Sequence, residues 1–474
     1  MTQTTVEVLL VNTPISHEER YGKLAAFGNH LPNLGLAQMA GFLREKGVVV
    51  QILDAALLGW GVERTAKYVA DAAPRIAGLT ATTMAISRAA ALASKIKQYN
   101  HATRIAVGGA HISSRPWETM ENYRSIDYGI MHEGEFTIWE LVQSLRKGQE
   151  PYEVAGLIAR DHGDIYMTDP RPPIKNLDEL PMPAWDLLPN LSKYYHPSPQ
   201  SYKRLPSTIL FTSRGCPYRC TFCDRTLFGQ KYRHNSPKRI YEMMKHLHDE
   251  YGIVDFAFHD ELFLVSERDV VELCQYITRN GHDWTWSCQG RADMPITSYG
   301  LDRMAEAGCW QIQFGVESGA DEILTRMQKD LTAAQMLETF ERVSAAGIRS
   351  KGFLMVGFPG ESEATLAETE EFIVASKLDD VMITYFTPFP GVEVYDGVEQ
   401  HGHIVGGYET HNDHYVAFVP NGLTAEQLIA ARNRMYRRFY LRSRTVWDYV
   451  KRLREPSVRP HLLRAASQFL AATR

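Results

Sequence analysis

Apolar and polar positions follow two rhythms along this chain. Short continuous apolar runs fit strands buried on both faces. They are separated by longer stretches in which apolar residues recur every third or fourth position, the spacing of one helix face. In the first part of the chain the strand-like runs are Val6–Val11, Val48–Leu53, Ile76–Thr80, Arg104–Val107 and Tyr128–Met131. Helical stretches fall at Pro32–Glu45, Val62–Ala73, Ile86–Tyr99 and Glu135–Arg146, with a short one at Thr119–Tyr123. Strands alternating with helices predict a parallel sheet covered on both faces, with a ligand crevice at the carboxyl ends of its strands.

The rhythm breaks from Pro151 to about Leu205. Pro170, Pro172, Pro173, Pro181, Pro183, Pro189, Pro197 and Pro199 disfavour regular elements there. The segment reads as a connector ordered against both neighbours, with a candidate strand at Val154–Arg160 and a candidate turn at His162–Asp164. The alternation resumes with strands at Thr208–Thr212, Val254–Phe258, Trp284–Gln289, Trp310–Phe314, Ser350–Val356 and Val381–Phe386. Their helices are Pro237–Tyr251, Ser266–Asn280, Tyr299–Ala307, Thr332–Ala346 and Ala364–Leu378. A partial (β/α)6 barrel and an open sheet both satisfy this pattern. The chain then turns polar and histidine-rich over His401–Tyr415 and helical from Thr424 to about Arg452. The expected organisation is α/β: a Rossmann-like domain over 1–150, a connector over 151–206, the second repeat over 207–395, and a C-terminal helical cap over 396–474 that doubles as a substrate-binding region.

Composition narrows the classes. With 474 residues, 44% hydrophobic and 23% charged, the chain can bury a core without disulfides. A net charge of −5 argues against a nucleic-acid binder that depends on a global positive field. No apolar run approaches the roughly 20 residues of a membrane span, and the first residues, MTQTTVEVLLVNTP, have no basic leader. Six cysteines are too few for a secreted framework, so a cytoplasmic location with reduced thiols is expected.

Three of those cysteines fall close together, as Cys216-x3-Cys220-x2-Cys223, just after the first strand of the second repeat. Three thiolates on one short loop can ligate three irons of a [4Fe–4S] cubane and leave the fourth iron open to a chelating ligand. A zinc knuckle completed by His234 and a chance grouping are the other readings, but structural zinc prefers four protein ligands in paired short spacings. Cys274, Cys288 and Cys309 lack ligand spacing and read as core thiols.

The cysteine motif, with Phe222 in its aromatic position, resembles the radical S-adenosylmethionine (SAM) superfamily over about Ser207 to Pro390. The resemblance implies a partial barrel in which the open iron chelates SAM and one electron releases a 5′-deoxyadenosyl radical, delivered by a flavodoxin- or ferredoxin-type donor. It marks strand-end residues as the cofactor side: Asp260 and Glu261 after the second strand, Gln289 and Arg291 after the third, Glu317 after the fourth and Gly357 after the fifth. A capped turn at Asp260–Glu261 and purely structural proline–glycine turns remain alternatives.

The first domain lacks G-x-G-x-x-G, so a dinucleotide site has no support. Its strand ends instead carry Thr82 and Thr83, Gly108, Gly109 and His111, and His132, Glu133 and Gly134, small and polar groups that suit a large flat ligand with a polar tail. These stretches resemble the cobalamin-binding domain that precedes many radical SAM barrels. The motif D-x-H-x-x-G is absent, because Ala56 stands at its histidine position after Asp54, so cobalamin is expected without a histidine ligand from that motif.

The combined resemblance implies an enzyme with three cofactors: a [4Fe–4S] cluster, SAM and cobalamin. The first expectation is methyl transfer from methylcobalamin to an unactivated carbon. The alternative is a non-methylating reaction such as that of the oxygen-independent magnesium-protoporphyrin monomethyl ester cyclases. The expected substrate is a small molecule, polycyclic, tetrapyrrole or a natural-product intermediate, with Tyr385 and Tyr415 as candidate catalytic residues. The basic stretch from Arg432 to Arg444 reads as a solvated helix face or as a site for an anion or a redox partner.

Overall fold

The computed structural model describes residues 6–22, 28–198, 201–412 and 414–453. The residues before Val6, Pro199, and 454–474 of the C-terminal region lie outside the described residues. The first unit is a seven-stranded sheet: β1 Val8–Asn12, β2 Val50–Asp54, β3 Ile76–Thr80, β4 Arg104–Gly108, β5 Tyr128–Ile130, β6 Leu157–Asp161 and β7 Asp164–Met167, in the order β2-β1-β3-β4-β5-β6-β7. The first five strands are parallel. The last two are antiparallel. The sheet is therefore mixed rather than wholly parallel, and it runs past residue 150 into the expected connector. A tight turn explains the addition: His162 and Gly163 both have positive φ, as a two-residue hairpin requires.

The apolar runs behave as expected of strands covered on both faces. Helices Leu34–Glu45 and Glu135–Arg146 pack one side, burying Leu36, Leu43, Ile138 and Leu141. Helices Val62–Ala72 and Ile86–Tyr99 pack the other, burying Val69, Ala89 and Leu92. The strand order reverses direction at β1 and β3, which places a crevice at their carboxyl ends. Proline keeps most of the connector irregular but not loose. Trp185 is buried, and a Cβ on Gly41 would lie 2.4 Å from the carbonyl oxygen of Met182, so glycine lets the connector press on the first helix.

The second unit begins with β8 Ser207–Leu210, then the two-residue pair β9 Ser213–Arg214 and β10 Arg233–His234. Strands β11 Asp255–Phe258, β12 Thr285–Gly290, β13 Cys309–Glu317, β14 Arg349–Val356 and β15 Asp380–Tyr385 follow. They form a parallel sheet in the order β15-β14-β13-β12-β11-β8, with β8 and β15 at its edges. This is the curled, unclosed sheet of a partial barrel. Along each strand, residues such as Phe256, Trp286, Ile312 and Leu354 join the apolar core with the helices. Their alternates, among them Gln289, Gln313 and Lys351, therefore line the concave face.

A hairpin of β16 Gly402–Ile404 and β17 Phe418–Pro420 precedes two helices, Ala425–Tyr440 and Ser443–Arg452, where one continuous helix was expected. The basic stretch on them is mostly committed within the chain. Arg434 and Arg438 pair with Glu370, and Arg444 pairs with Asp379. Arg442 donates to the carbonyls of Ile373, Val374, Ser376 and Leu378. This face locks the C-terminal helices onto the barrel. Among the described residues no helix is long and apolar enough to cross a membrane.

Candidate active site

The cysteine loop leaves β8 and is held at its base by Asp260, the residue two past β11. Asp260 is fully buried and accepts from the backbone N–H and hydroxyl of both Thr212 and Ser213. Burial raises its carboxyl to about 6 against those bonds. The β9–β10 pair then closes the loop, and Gly215 enters it at φ +81°, where a Cβ would stand 2.5 Å from the carbonyl oxygen of Lys231. Asp260, expected on the cofactor side, is thus placed as the anchor of the loop that carries the cysteines.

Cys216, Cys220 and Cys223 carry free thiols. Burial pushes Cys216 up and Cys223 up to about 12, with the Glu261 charge adding to both. Glu261 is itself raised to about 7, by burial and then by Asp224 and Asp260. Positive charge comes from Arg291, whose guanidinium lies 3.7 Å from Cys220 Sγ. That guanidinium stacks 3.6 Å over the Tyr218 ring and is fixed by Asp293 and the carbonyl of Lys329. Among the described residues no group of three or more His, Cys, Asp or Glu side chains is placed to hold a metal ion. Three cysteines on one short loop, with no fourth on it and the Arg291 guanidinium beside Cys220, suit a cubane with one open iron once the thiols are deprotonated by the metal.

Beyond the loop, Glu317 at the end of β13 takes φ +66° and pairs with the buried Lys329 at 3.1 Å. The ammonium of Lys329 also lies 5.8 Å from the Phe222 ring centroid. Gly357, with φ +94°, follows β14 and donates its N–H to Glu361. Gln289 is half-buried on the concave face. A cavity of about 340 Å³ opens beside Thr221, Phe358 and Val394.

The strand ends of the first unit meet this loop directly. His132, at φ +60°, donates from Nδ1 to the carbonyl of Thr226 at 2.6 Å, and Ser114 Oγ lies 3.0 Å from Thr226 Oγ1. Glu133 accepts from Arg233 Nη1 at 2.6 Å and from the Ile174 N–H at 2.6 Å. Arg214 bonds Glu135 at 2.6 Å, and its other terminal nitrogen lies 3.3 Å from Glu133 without hydrogen-bond geometry. All four charged groups are largely buried. Glu133, expected to touch a cofactor, thus commits one oxygen to Arg233 across the domains and the other to the connector at Ile174. Gly134 opens the next helix; a Cβ there would meet the methyl of Met39 at 2.9 Å.

His111 is buried, bonds Thr83 Oγ1 at 3.3 Å and meets the Tyr408 ring edge-on at 5.0 Å. Burial lowers its pKa to about 4. Thr82 is exposed, and Gly109, at φ +119°, lies so close to Ala81 that a Cβ would stand 2.6 Å from its carbonyl oxygen. Gly108 ends β4. Asp54 accepts from Asn12, Leu57 N–H and Tyr195, which braces the crevice at the switch point. The segment carrying Tyr408 comes from beyond the barrel, and Asn412 reaches Met84, so the C-terminal hairpin region closes over these strand ends. The two candidate tyrosines sit differently. Tyr385 is buried under the Arg432 guanidinium, 4.4 Å from its ring. Tyr415 is partly exposed, with its hydroxyl 2.4 Å from where a Gly22 Cβ would lie. The sequence reading gave no role to Glu135, Arg214, Arg233, Tyr218 or Lys329; the first four meet partners distant in sequence, and Lys329 meets Glu317 12 residues away.

Comparison with known proteins agrees with this arrangement. Residues 210–373 match the Radical SAM superfamily and residues 23–142 match the B12 binding domain. An uncharacterised methyltransferase of Pyrococcus horikoshii is 33% identical over 366 residues, covering 77% of this chain and 78% of the relative. The anaerobic magnesium-protoporphyrin IX monomethyl ester cyclase of Rubrivivax gelatinosus is 24% identical over 435 residues, covering 90% and 76%. Among solved structures, the cobalamin-dependent SAM radical enzyme OxsB with aqua-cobalamin bound superposes with a TM-score of 0.71 at 20% identity, covering 96% of this chain and 72% of that one. The radical SAM methyltransferase TsrM from Kitasatospora setae, with cobalamin and a [4Fe–4S] cluster, gives 0.66 at 18% identity, covering 83% and 75%.

Proposed function

We propose a reaction for this chain from the premise that it belongs to the cobalamin-dependent radical SAM enzymes and works with a [4Fe–4S] cluster, SAM and cobalamin: a radical-initiated oxidation or ring formation on a small molecule, without net methylation. Its substrate is a tetrapyrrole or another polycyclic or natural-product intermediate, and a flavodoxin- or ferredoxin-type protein supplies its electron. The observation that carries this reading is the extent of the likeness to the anaerobic cyclases, which runs over 90% of the chain. A second reading, methyl transfer to an unactivated carbon, is favoured by the 33% identity to a protein called a methyltransferase.

When bound, the cluster and SAM would supply radical initiation, and cobalamin would supply corrin cobalt chemistry. Cys216, Cys220 and Cys223 would hold the cluster. Arg291 offsets thiolate charge at Cys220 and is held in place by Asp293 and Tyr218. Glu261 and Glu317, at the rim of the concave face, are acceptors for ammonium or hydroxyl groups of SAM. Thr83, Gly108, Gly109 and His111 would border the corrinoid and its tail. The hairpin carrying Tyr408 excludes water from that end of the site.

The test is anaerobic incubation with candidate metabolites, a reductant and methyl-deuterated SAM, followed by mass spectrometry. Substrate-dependent 5′-deoxyadenosine with an unlabelled, oxidised or cyclised product is the expected result. A product heavier by one labelled methyl, with S-adenosylhomocysteine as co-product, defeats it in favour of methyl transfer.

A further inference from the structure

A layer of polar side chains crosses the concave face of the barrel below the rim. The ladders pair Gln289 with Gln313, Gln313 with Lys351 and Lys351 with Asp380. In a parallel sheet, directly paired residues point to the same face. His259 follows β11 one position past the Phe258–Cys288 pair, which puts it level with Gln289. Beneath this layer lie Ser287 and Gln311, paired with each other and each 1% exposed. Ser287 Oγ and Gln311 Oε1 have no hydrogen-bond partner among the described residues.

Lys351 is the cation of this layer and is 6% exposed. A buried ammonium is costly unless paired. No ion pair or hydrogen bond to its Nζ exists among the described residues; the Phe353 ring centroid lies 5.3 Å away, and burial lowers the lysine pKa against the more distant charge of Asp380. Asp380 is itself engaged: its Oδ1 accepts from the Tyr440 hydroxyl and from the Val381 N–H. The charges on neighbouring elements are also committed, with Arg349 on Asp448 and Glu370 on Arg434 and Arg438. His259 faces Lys351 as a neutral ring, held there by burial and then by the lysine charge. Above the layer the concave face is reachable, since Phe353, Met355, Met382 and Thr384 are half-buried while their alternates Leu354, Val356 and Ile383 are buried.

We propose that the floor of the barrel binds a carboxylate of the substrate, with Lys351 as its counter-ion and Gln289, Gln313 and His259 as hydrogen-bonding neighbours. One cation balances one charge, and amide N–H groups satisfy the remaining lone pairs, which suits a carboxylate better than a phosphate dianion. The unpartnered Ser287 and Gln311 atoms beneath would gain water or ligand contacts when the site fills. The inference rests on the reading that the substrate is transformed within this barrel. It does not depend on whether a methyl group is transferred.

The test uses the full reconstituted chain with benzoate as probe, benzamide and inorganic phosphate as comparisons, and Lys351→Met. Saturable benzoate binding by ligand-observed NMR is expected in the parent protein, with none for benzamide. In Lys351→Met the benzoate affinity should fall about 30-fold or more, as expected when one partner of a buried charge pair is removed. Removing an unpaired buried charge should also raise the unfolding temperature of the ligand-free protein. A lower unfolding temperature would make Lys351 a structural residue and overturn the inference. No saturable benzoate binding, equal binding in Lys351→Met, phosphate binding as well as benzoate, or a parallel fall in SAM affinity would each do the same. Product labelling tests the reaction class separately, so the two readings fail on different measurements.

Discussion

Glu133→Gln separates an inter-domain clamp from a cofactor contact. Glu133 has Arg233 Nη1 at 2.6 Å, the Ile174 N–H at 2.6 Å and Arg214 Nη1 at 3.3 Å. The Arg233 side chain is 3% exposed, so water cannot replace the lost charge. Removing one partner of such a buried pair costs about 3–5 kcal/mol. Glutamine retains one carbonyl acceptor, which returns about 1 kcal/mol for a neutral hydrogen bond and leaves a net loss of about 3 kcal/mol. A chain of this size does not unfold in one two-state step, so the loss is best read locally. Hydrogen exchange of the amides over residues 213–235 should accelerate about 100-fold, because roughly 1.4 kcal/mol corresponds to tenfold in the opening equilibrium. The amides around Ile174 should loosen with them. Cobalamin affinity lost with unchanged exchange in both segments would refute the clamp and return Glu133 to the cofactor.

Changing Cys216, Cys220 and Cys223 together to alanine should remove the cluster absorption and SAM cleavage; a retained cluster would sink the ligand assignment. The cob(II)alamin EPR spectrum should show no hyperfine coupling from a protein imidazole. If coupling were seen, His132 would be the first suspect, because its Nδ1–H is tied to a carbonyl and its Nε2 keeps a lone pair. Glu361 is raised from 4.5 to about 8 by burial, against the backbone N–H bonds of Gly357 and Phe358. The folded state holds a proton there that the unfolded state releases, so its contribution is fully present below pH 4.5 and is lost as pH rises through about 8. At about 1.36 kcal/mol per unit the ceiling is about 5 kcal/mol, and Glu361→Gln should flatten this part of the stability–pH profile measured by denaturant titration. An unchanged slope would contradict the buried-acid reading.

What was legible in the sequence was local. The cysteine spacing lies within one loop, and the apolar runs of β1 and β3 mark strands covered on both faces, whereas β13 alternates apolar residues with Gln311 and Gln313. The β6–β7 hairpin escaped full recognition because β7 is an exposed edge, with Asp164 and Met167 exposed and the residues between them half-buried. The break between the last two helices escaped because the helical pattern continues across Leu441 and Arg442. The clamp was out of reach for a different reason: Glu133 and Arg233 are 100 residues apart, and Glu135 and Arg214 are 79 apart. No periodicity connects such pairs. Asp260 was visible as an acid at a strand end, but the same residue type serves a cofactor or a loop backbone equally well. Only the positions of Thr212 and Ser213 decide between them.

The clamp bears on how two cofactors share one reaction. A radical generated on one and a corrin held by the other must reach the same small region of substrate, and a displacement of about 1 Å can cost orders of magnitude in rate. Loops are ordinarily the mobile parts of a fold. Here the cysteine loop is fixed from two directions. Asp260 and the β9–β10 pair hold it to its own barrel. His132, Ser114, Glu133 and Glu135 hold it to the strand ends of the B12 binding domain. The second set acts through backbone and charge rather than through the cysteines, so it can set the loop's position without altering its ligands. Burial of both arginines makes the clamp all-or-none, since a half-formed pair would leave a charge desolvated. The two domains therefore hold one shared register: any shift of the sheet's β5 end moves the cysteine loop with it.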